Sequence, residues 1–302
     1  MAIVGFIIGA ILGSLVKALA DRSLNYRSFL GRSYCPKCIH KLRWYDLTPI
    51  VSYLILRGKC RYCEDKISLE YLLVEVGMGI LVGFLFWQSF NNFQFVFQTA
   101  FGRTIFNPFS IFIAELLFNT FFITVLAILF LTDIKKMLIP DRIVIPAIWI
   151  GITFITVITA IKIIFLYYYL SQTLLGQKLL EQTDYFQRHA LITAEPLLGS
   201  ILMAAAIGGF FMALIILTKG KGMGGGDVKL GALIGLGLGF PHGLVALMLS
   251  FLSGATVSLV LILMGKKHFG QNIPFGPFLV LGSLMALFWG PQIVNWYLQI
   301  GT

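Results

Sequence analysis

The feature that most constrains this chain is a series of apolar runs separated by short loops. A helix needs roughly 20 apolar residues to cross the hydrocarbon core of a bilayer. Runs close to that length lie at 2–20, 71–90, 109–132, 144–169, 196–218, 228–240, 243–264 and 275–298. We therefore expect an all-α polytopic membrane protein with about eight transmembrane helices.

The composition supports the same class. Hydrophobic residues make up 58% of the 302 positions and charged residues only 12%, whereas soluble domains average about a quarter charged. The net charge of +10 could indicate nucleic acid in a soluble protein. Here the basic residues cluster between apolar runs, which is typical of topology determinants. Membrane lipid is the predicted partner, and nucleic acid is not.

Two of the runs depart from an ordinary span. Residues 2–20 could pass for a signal peptide, but Lys17 lies inside the run and no small-residue cleavage site is evident. We predict a retained first transmembrane helix over 1–20. The run 228–240 is short and rich in glycine, and small residues permit close helix packing. We expect that segment to pack inside the bundle.

Loop charges predict the orientation. The segment 21–70 carries ten Lys or Arg against five acids. The further basic residues on the same side are Lys135, Lys136, Arg142, Lys219, Lys221, Lys266 and Lys267. Basic loops are retained in the cytoplasm, which places both termini outside and both Asp133 and Asp227 at the cytoplasmic face.

All four cysteines lie in the loop between the first two spans. Cys35 and Cys38 form one C-x2-C pair, Cys60 and Cys63 form another, and 21 residues separate the pairs. This spacing is typical of a zinc site, and four thiolates fill a tetrahedral shell. A cytoplasmic loop is kept reduced, which disfavours disulfides. We predict a structural zinc ion held by the four cysteines. His40 could replace one of them as a ligand, but we expect it to be a surface imidazole.

Two aspartates lie where an apolar run meets a basic loop. Asp133 ends the third run, and Asp227 follows three glycines before the sixth. Carboxylates at membrane depth are costly and tend to be functional. Two of them on one face suggest the acid and base of an aspartyl protease. The alternative is that both are helix caps or topology anchors, and which aspartate is the base stays open.

Several neighbouring residues are candidates for supporting roles. Gly224, Gly225 and Gly226 could let backbone approach a substrate or form a hinge. Lys229 could favour ionisation of the aspartates or act as a charge anchor. Asp141 is expected to cap a helix, with a secondary electrostatic role as the alternative. Glu75 needs a partner at membrane depth, and an Arg or Lys of the cysteine loop is expected.

The ordered set of motifs resembles the type IV prepilin peptidases, which are G-x-G-D aspartyl proteases. The match covers nearly the whole chain. The segments that carry the resemblance are Arg32-Ser33-Tyr34-Cys35-Pro36-Lys37-Cys38, Trp44-Tyr45-Asp46, Arg57-Gly58-Lys59-Cys60, Ile139-Pro140-Asp141, Gly224-Gly225-Gly226-Asp227-Val228-Lys229 and Pro274-Phe275-Gly276-Pro277. The first helix reads Gly13-Ser14-Leu15-Val16-Lys17, whereas the family commonly has asparagine at the last of these positions.

The resemblance implies an activity and a domain plan. Asp133 and Asp227 would be the catalytic pair of an endopeptidase that removes the leader of type IV prepilins or pseudopilins. The family implies a bacterial cytoplasmic membrane and methylation of the new N-terminus with S-adenosylmethionine. The predicted domains are a helix at 1–20, a cytoplasmic four-cysteine domain at 21–70 and a peptidase domain at 71–302. Oligomeric state, the pilin served and the cofactor site are not given by the sequence.

A cationic leader needs acidic docking groups, for which Asp46, Glu64, Asp65 and Glu70 are candidates. Two other functions remain as alternatives. A presenilin-like intramembrane protease of broader specificity would share the G-x-G-D motif but leave the cysteines unexplained. An ion transporter would place its carboxylates near the bilayer midplane, whereas these border basic loops.

Overall fold

A computed structural model describes residues 1–99, 108–172, 174–182, 184–220, 223–265 and 273–300. Three residues named above lie outside these ranges: Lys221, Lys266 and Lys267. Within the described ranges the regular structure is helical, apart from two isolated β-bridges in the cysteine loop.

The described residues form ten α-helices and one short 3-10 helix at Trp44–Leu47. The α-helices, in chain order, are α1 (Ala2–Leu24), α2 (Val51–Ile55), α3 (Leu69–Thr99), α4 (Pro108–Lys136), α5 (Asp141–Gln172), α6 (Leu174–Gln182), α7 (Tyr185–Leu217), α8 (Gly225–Leu238), α9 (His242–Leu263) and α10 (Gly276–Ile300).

Seven of the described helices are long and apolar enough to cross a membrane: α1, α3, α4, α5, α7, α9 and α10. The chain is therefore an all-α polytopic membrane protein, as predicted. The remaining predicted run corresponds to α8, which has only 14 residues. At 1.5 Å per residue it is roughly 21 Å long, short of the ~30 Å hydrocarbon core.

Two helices extend well beyond their apolar runs. Helix α5 has 32 residues and α7 has 33, and α7 begins at Tyr185 rather than near 196. An apolar run shows which residues lie within the hydrocarbon core of the bilayer. The helix itself continues beyond that run for as long as the backbone keeps its helical hydrogen bonds. The polar turn that contains Gln187 and Arg188 therefore stays helical.

The chain divides into two compact units, and the first comprises 1–96 and 119–140. In this unit α1 packs against α3 through glycines on one face of α1. A Cβ added at Gly5 would meet Phe86, one at Gly9 would meet Met78 and Gly79, and one at Gly13 would meet Glu75. The order of these contacts makes the two helices antiparallel. Small residues allow such close approach in lipid, where the hydrophobic effect between helices is absent.

The second unit comprises 97–118 and 141–302. Helix α8 lies at its centre and contacts α5, α7, α9 and α10. A Cβ at Gly231 would meet the side chains of Phe211 and Ile207, and one at Gly235 would come within 2.6 Å of Ala204 N. The prediction that this short glycine-rich helix packs inside the bundle is confirmed.

The glycines of α1 provide a test of this packing. Gly9→Ala places a methyl group 2.9 Å from Gly79 Cα, so the free energy of unfolding should fall by about 1–3 kcal/mol through overpacking. The matched control is Gly77→Ala on α3, whose added Cβ meets none of the described atoms within 4 Å. Alanine is the better helix former, so this control should keep or slightly raise stability. Thermal unfolding in detergent compares the two, and equal midpoints would contradict the close packing.

Candidate functional site

Asp133 lies in the last turn of α4. Its side chain is buried, with 6% of the residue exposed, and the preceding Thr132 is fully buried. The helix is closed there by a hydrogen bond from Met137 N–H to the Asp133 carbonyl oxygen (2.8 Å). Met137 has a φ of +50°, which ends the helix. This carboxylate is therefore held on a regular helical turn.

Asp227 lies in the first turn of α8, where a negative charge is favourable. Gly224 is the N-cap of that helix, with an extended backbone (φ −87°, ψ 151°). Asp227 N–H donates to the Gly224 carbonyl oxygen (3.1 Å). A Cβ added at Gly225 would meet none of the described atoms within 4 Å. Neither a left-handed backbone nor tight packing in this unit explains glycine at these two positions.

Two predicted supporting residues form an ion pair within the second unit. Lys229 Nζ donates to Asp141 Oδ1 at 2.6 Å, and both side chains are partly exposed. Asp141 is the first residue of α5, where its carboxylate also faces the positive end of the helix dipole. The pair fastens the start of α8 to the start of α5. Lys229 follows Asp227 by two positions in the chain, and the Asp141 carboxylate holds its side chain.

The predicted partner of Glu75 is wrong. Glu75 is 8% exposed on α3, and its carboxylate accepts a hydrogen bond from the backbone N–H of Ile50 at 2.7 Å. An Arg or Lys of the cysteine loop was expected instead. The N–H is available because Ile50 precedes the short helix α2 and has a φ of +61°. A backbone donor satisfies a buried carboxylate without burying a second charge.

The cysteine loop contains two copies of one backbone motif, at 33–42 and 58–67. Each copy has an antiparallel bridge that flanks its C-x2-C pair, and a residue with positive φ follows the second cysteine. In the first copy, Cys35 N–H donates to the His40 carbonyl oxygen (3.0 Å) and Ile39 N–H donates to the Cys35 carbonyl oxygen (2.9 Å). In the second copy, Cys60 N–H donates to the Asp65 carbonyl oxygen (2.8 Å) and Glu64 N–H donates to the Cys60 carbonyl oxygen (2.9 Å). Each copy therefore presents two sulfur atoms from one tight turn.

The sulfur atoms of the four cysteines form one cluster. All lie within 4.8 Å of one another, and Cys35 Sγ is 3.8 Å from Cys63 Sγ. Zn–S bonds of about 2.3 Å in a tetrahedron place sulfur atoms roughly 3.8 Å apart. The four clustered cysteines, two buried and two exposed, can therefore hold a metal ion. His40 stacks on Tyr62 with ring centroids 3.7 Å apart and is outside the cluster.

Two of these thiols have displaced pKa values. Burial raises the pKa of Cys35, but hydrogen bonds from the Cys38 and Lys37 N–H groups, together with those from the Cys38 and Cys60 thiols, outweigh it and lower the pKa to about 7. For Cys63 a hydrogen bond from Asp65 N–H lowers the pKa, but burial and the neighbouring cysteines raise it to about 12. Four adjacent thiols do not all ionise without a cation among them.

Asp46 holds the cysteine loop together from the side. Its side chain is only 3% exposed and accepts hydrogen bonds from Arg43 N–H (3.1 Å), Arg61 Nε (2.8 Å) and Tyr62 OH (3.0 Å). Burial alone would raise the pKa of this carboxyl, but the three donors hold it below its usual range. The Arg61 guanidinium also lies over the Tyr45 ring, 5.0 Å from the centroid.

The acidic residues considered as docking groups are largely engaged inside the first unit. Asp46 is bound as described, Asp65 is 3.6 Å from Lys37 Nζ, and Glu70 contacts two lysines at 3.3 Å or less. The sequence pattern does not reveal these internal partners, because they come from other turns and helices.

Comparison with known families finds two matches. Residues 7–89 match the Bacterial Peptidase A24 N-terminal domain. Residues 120–181 and 185–259 match the Type IV leader peptidase family. The first match contains the cysteine loop and Glu75. The second contains both Asp133 and Asp227.

Several curated proteins similar to this chain are named prepilin leader peptidase/N-methyltransferase. The protein of that name from Bacillus subtilis is 31% identical over 296 residues, which covers 98% of this chain and 97% of the relative. Its namesake from Aeromonas hydrophila is 30% identical over 273 residues, with 90% and 77% covered. The one from Stutzerimonas stutzeri is 29% identical over 274 residues, with 91% and 77% covered. No solved structure matches the chain.

Asp46 offers a test of how the cysteine loop is held. Asp46→Ala removes one carboxylate that satisfies three donors, so the loop should lose about 2 kcal/mol of stability. The matched control is Asp65→Ala, which removes an exposed ion pair worth about 0–1 kcal/mol. Limited proteolysis within 25–68 across a urea series measures both. Equal protection of the two variants would contradict a central role for Asp46.

Proposed function

This chain belongs to the type IV leader peptidase family, and on that premise we propose that it cleaves the leaders of type IV prepilins or pseudopilins at the cytoplasmic membrane face. Asp133 and Asp227 are the proposed catalytic pair. The observation that carries the assignment is that each aspartate lies at the end of an apolar helix inside the family match. A substrate with an apolar helix in the bilayer would bring its cleavage site to that depth.

The course of the chain supports a shared site. Two helices long enough to cross a membrane, α5 and α7, separate Asp133 from Asp227 along the sequence. Two crossings return a chain to the face that it left. The segment 21–70 and the Lys135–Lys136 pair are basic, which favours the cytoplasmic side for that face.

The proposed chemistry requires two carboxyl groups in different states. An ionised carboxylate removes a proton from water as the water attacks the scissile carbonyl carbon, and a protonated one donates a hydrogen bond to the developing oxyanion. Like charges that share a site do not both ionise readily, so the pair retains one proton. Either aspartate can therefore begin as the base.

The glycines before Asp227 have a proposed role in substrate binding. None of the described atoms lies within 4 Å of a Cβ placed on Gly225, and the Gly224 backbone is extended. A peptide substrate could lie against this backbone without meeting a side chain. The Lys229–Asp141 pair holds the first turn of α8 in place. Its proposed role is to fix the position of Asp227, rather than to neutralise it.

The cysteine cluster is the proposed site of a structural zinc ion. The sulfur spacing matches a tetrahedral Zn–S shell. Cys35, Cys38, Cys60 and Cys63 would supply four ligands and leave no position for substrate or water. Bound zinc would tie the two copies of the backbone motif to each other.

Methylation of the new N-terminus with S-adenosylmethionine is a further proposed activity. The similar curated proteins are named for both activities. The described residues do not give a set of side chains that can be matched to that cofactor. The proposal of methyl transfer rests on the family alone.

Mass spectrometry of a prepilin incubated with purified protein and S-adenosylmethionine tests the catalytic pair. Wild-type protein should remove the leader, and Asp133→Asn and Asp227→Asn should each slow cleavage by roughly 10²–10⁴-fold or more, because acid–base catalysis is lost. Asp184→Asn, a carboxylate at the start of α7, is the matched control and should cleave normally. Cleavage by either Asn variant at the wild-type rate would refute the pair. A product with the mass of an added methyl group would establish the second activity.

Metal analysis of the purified protein tests the cysteine site. We expect about one zinc ion per chain, loss of zinc in Cys38→Ser, and retention in His40→Ala because His40 stacks on Tyr62 instead. Chelation should expose 25–68 to protease, since a closed site supports folding. A zinc-free wild type, or a zinc-free loop with unchanged protection, would contradict the structural role.

A further inference from the structure

Four charged side chains of the first unit form a closed ring, in which each cation touches both anions. Lys17 Nζ lies 2.6 Å from Asp21 Oδ2 and 3.3 Å from Glu70 Oε2. Lys135 Nζ lies 3.1 Å from Asp21 Oδ1 and 2.8 Å from Glu70 Oε1. We call this arrangement the four-charge ring. Its formal charges sum to zero.

The four-charge ring is anchored by a buried lysine. The Lys17 side chain is 3% exposed, whereas the other three are about one-third exposed. Tyr71 adds two contacts to the four-charge ring, because its OH donates to Asp21 Oδ2 (3.3 Å) and its aromatic ring lies 4.6 Å from Lys17 Nζ. A buried ammonium is costly unless it is paired. Lys17 therefore holds Asp21 and Glu70 in place.

The four-charge ring connects three helices at one end of the unit. Lys17 and Asp21 lie on α1, Glu70 is in the first turn of α3, and Lys135 is in the last turn of α4. A second lysine of that turn repeats the connection, since Lys136 Nζ donates to the Leu24 carbonyl oxygen at 3.1 Å. The end of α4 is thus fastened to α1 by two successive lysines.

This fastening acts on the helical turn that carries Asp133. Asp133 precedes Lys135 by two residues, which corresponds to about 200° around an α-helix. With Lys135 drawn to α1 and α3, the Asp133 side chain leaves α4 on the opposite side. A rotation or fraying of the last turn would displace the carboxylate.

We propose that Lys17 is a positioning residue for Asp133, acting through the four-charge ring. The proposal rests on the proposed function, because it takes Asp133 as a catalytic residue. Without Lys17, two carboxylates compete for the single ammonium of Lys135. Their repulsion loosens the last turn of α4, and the carboxylate of Asp133 loses its orientation.

Cleavage kinetics with a prepilin substrate test the proposal. Lys17→Met keeps the length of the side chain and removes the charge. We expect kcat to fall by roughly tenfold to a hundredfold, as for a catalytic group misplaced by about 1 Å, with KM nearly unchanged. The matched control is Lys162→Met on α5, since Lys162 pairs with Glu115 at 3.5 Å in the other unit. This control should retain the wild-type kcat.

A charge-balanced double variant separates positioning from general destabilisation. Lys17→Met combined with Asp21→Asn leaves Lys135 paired with Glu70 and restores a net charge of zero. We expect its kcat to recover to well above that of Lys17→Met. The single variant Asp21→Asn is measured as well. If the fold-loss of kcat in the double variant equals the product of the fold-losses in Lys17→Met and Asp21→Asn, the two effects are independent and the proposal is overturned.

Hydrogen exchange of the backbone amides at 133–137 gives a readout that does not depend on cleavage. In Lys17→Met these amides should exchange faster, and the double variant should restore their protection. Unchanged exchange in Lys17→Met would overturn the fastening of α4. If wild-type protein cleaved no prepilin, the proposed function would fail, and the exchange result would still decide whether the four-charge ring holds this turn. Unchanged kcat in Lys17→Met beside an active wild type would overturn the positioning role alone.

Discussion

A charged group beside lipid is stable only when an opposite charge or a hydrogen-bond donor meets it, and this constraint organises the described chain. The partner usually comes from a different element, so each satisfied charge also fastens two elements together. Glu75 on α3 meets a backbone N–H of the cysteine loop. Lys229 on α8 meets Asp141 on α5. Lys17 on α1 meets Glu70 on α3. The same contacts therefore link separate elements within each unit.

The two aspartates lie in different units and at opposite ends of their helices, but each has a lysine at the same spacing. Asp133 is followed two residues later by Lys135, and Asp227 is followed two residues later by Lys229. Each lysine binds a carboxylate on another helix of its own unit. A lysine at that spacing leaves the helix on nearly the opposite side from the aspartate. The lysines thus hold the helical turns that carry the aspartates, and their charges are engaged by other carboxylates.

Close approach at glycine complements these ion pairs. Between helices in lipid the attraction is mainly van der Waals contact, and contact is greatest where no side chain intervenes. Gly9 brings α1 to the backbone of α3, and Gly235 brings α8 to the backbone of α7. In the cysteine loop, where few residues are buried, Asp46 and the four thiols replace apolar packing with directed contacts. Each region is held by the interaction that its surroundings allow.

The sequence by itself determined the membrane class, the clustered cysteines and the family, because apolar length, cysteine spacing and motif order are local properties of the chain. It also indicated that the short helix α8 is packed inside, since its glycines lie within one segment. Only the tertiary structure decided that Glu75 accepts a hydrogen bond from Ile50 N–H and that Lys135 pairs with Glu70. Those partners are far away in sequence, and a lysine at a loop has the same pattern whether it faces water or a carboxylate. The ends of α5 and α7 were likewise decided in three dimensions, because hydropathy records bilayer depth and not where a helix stops.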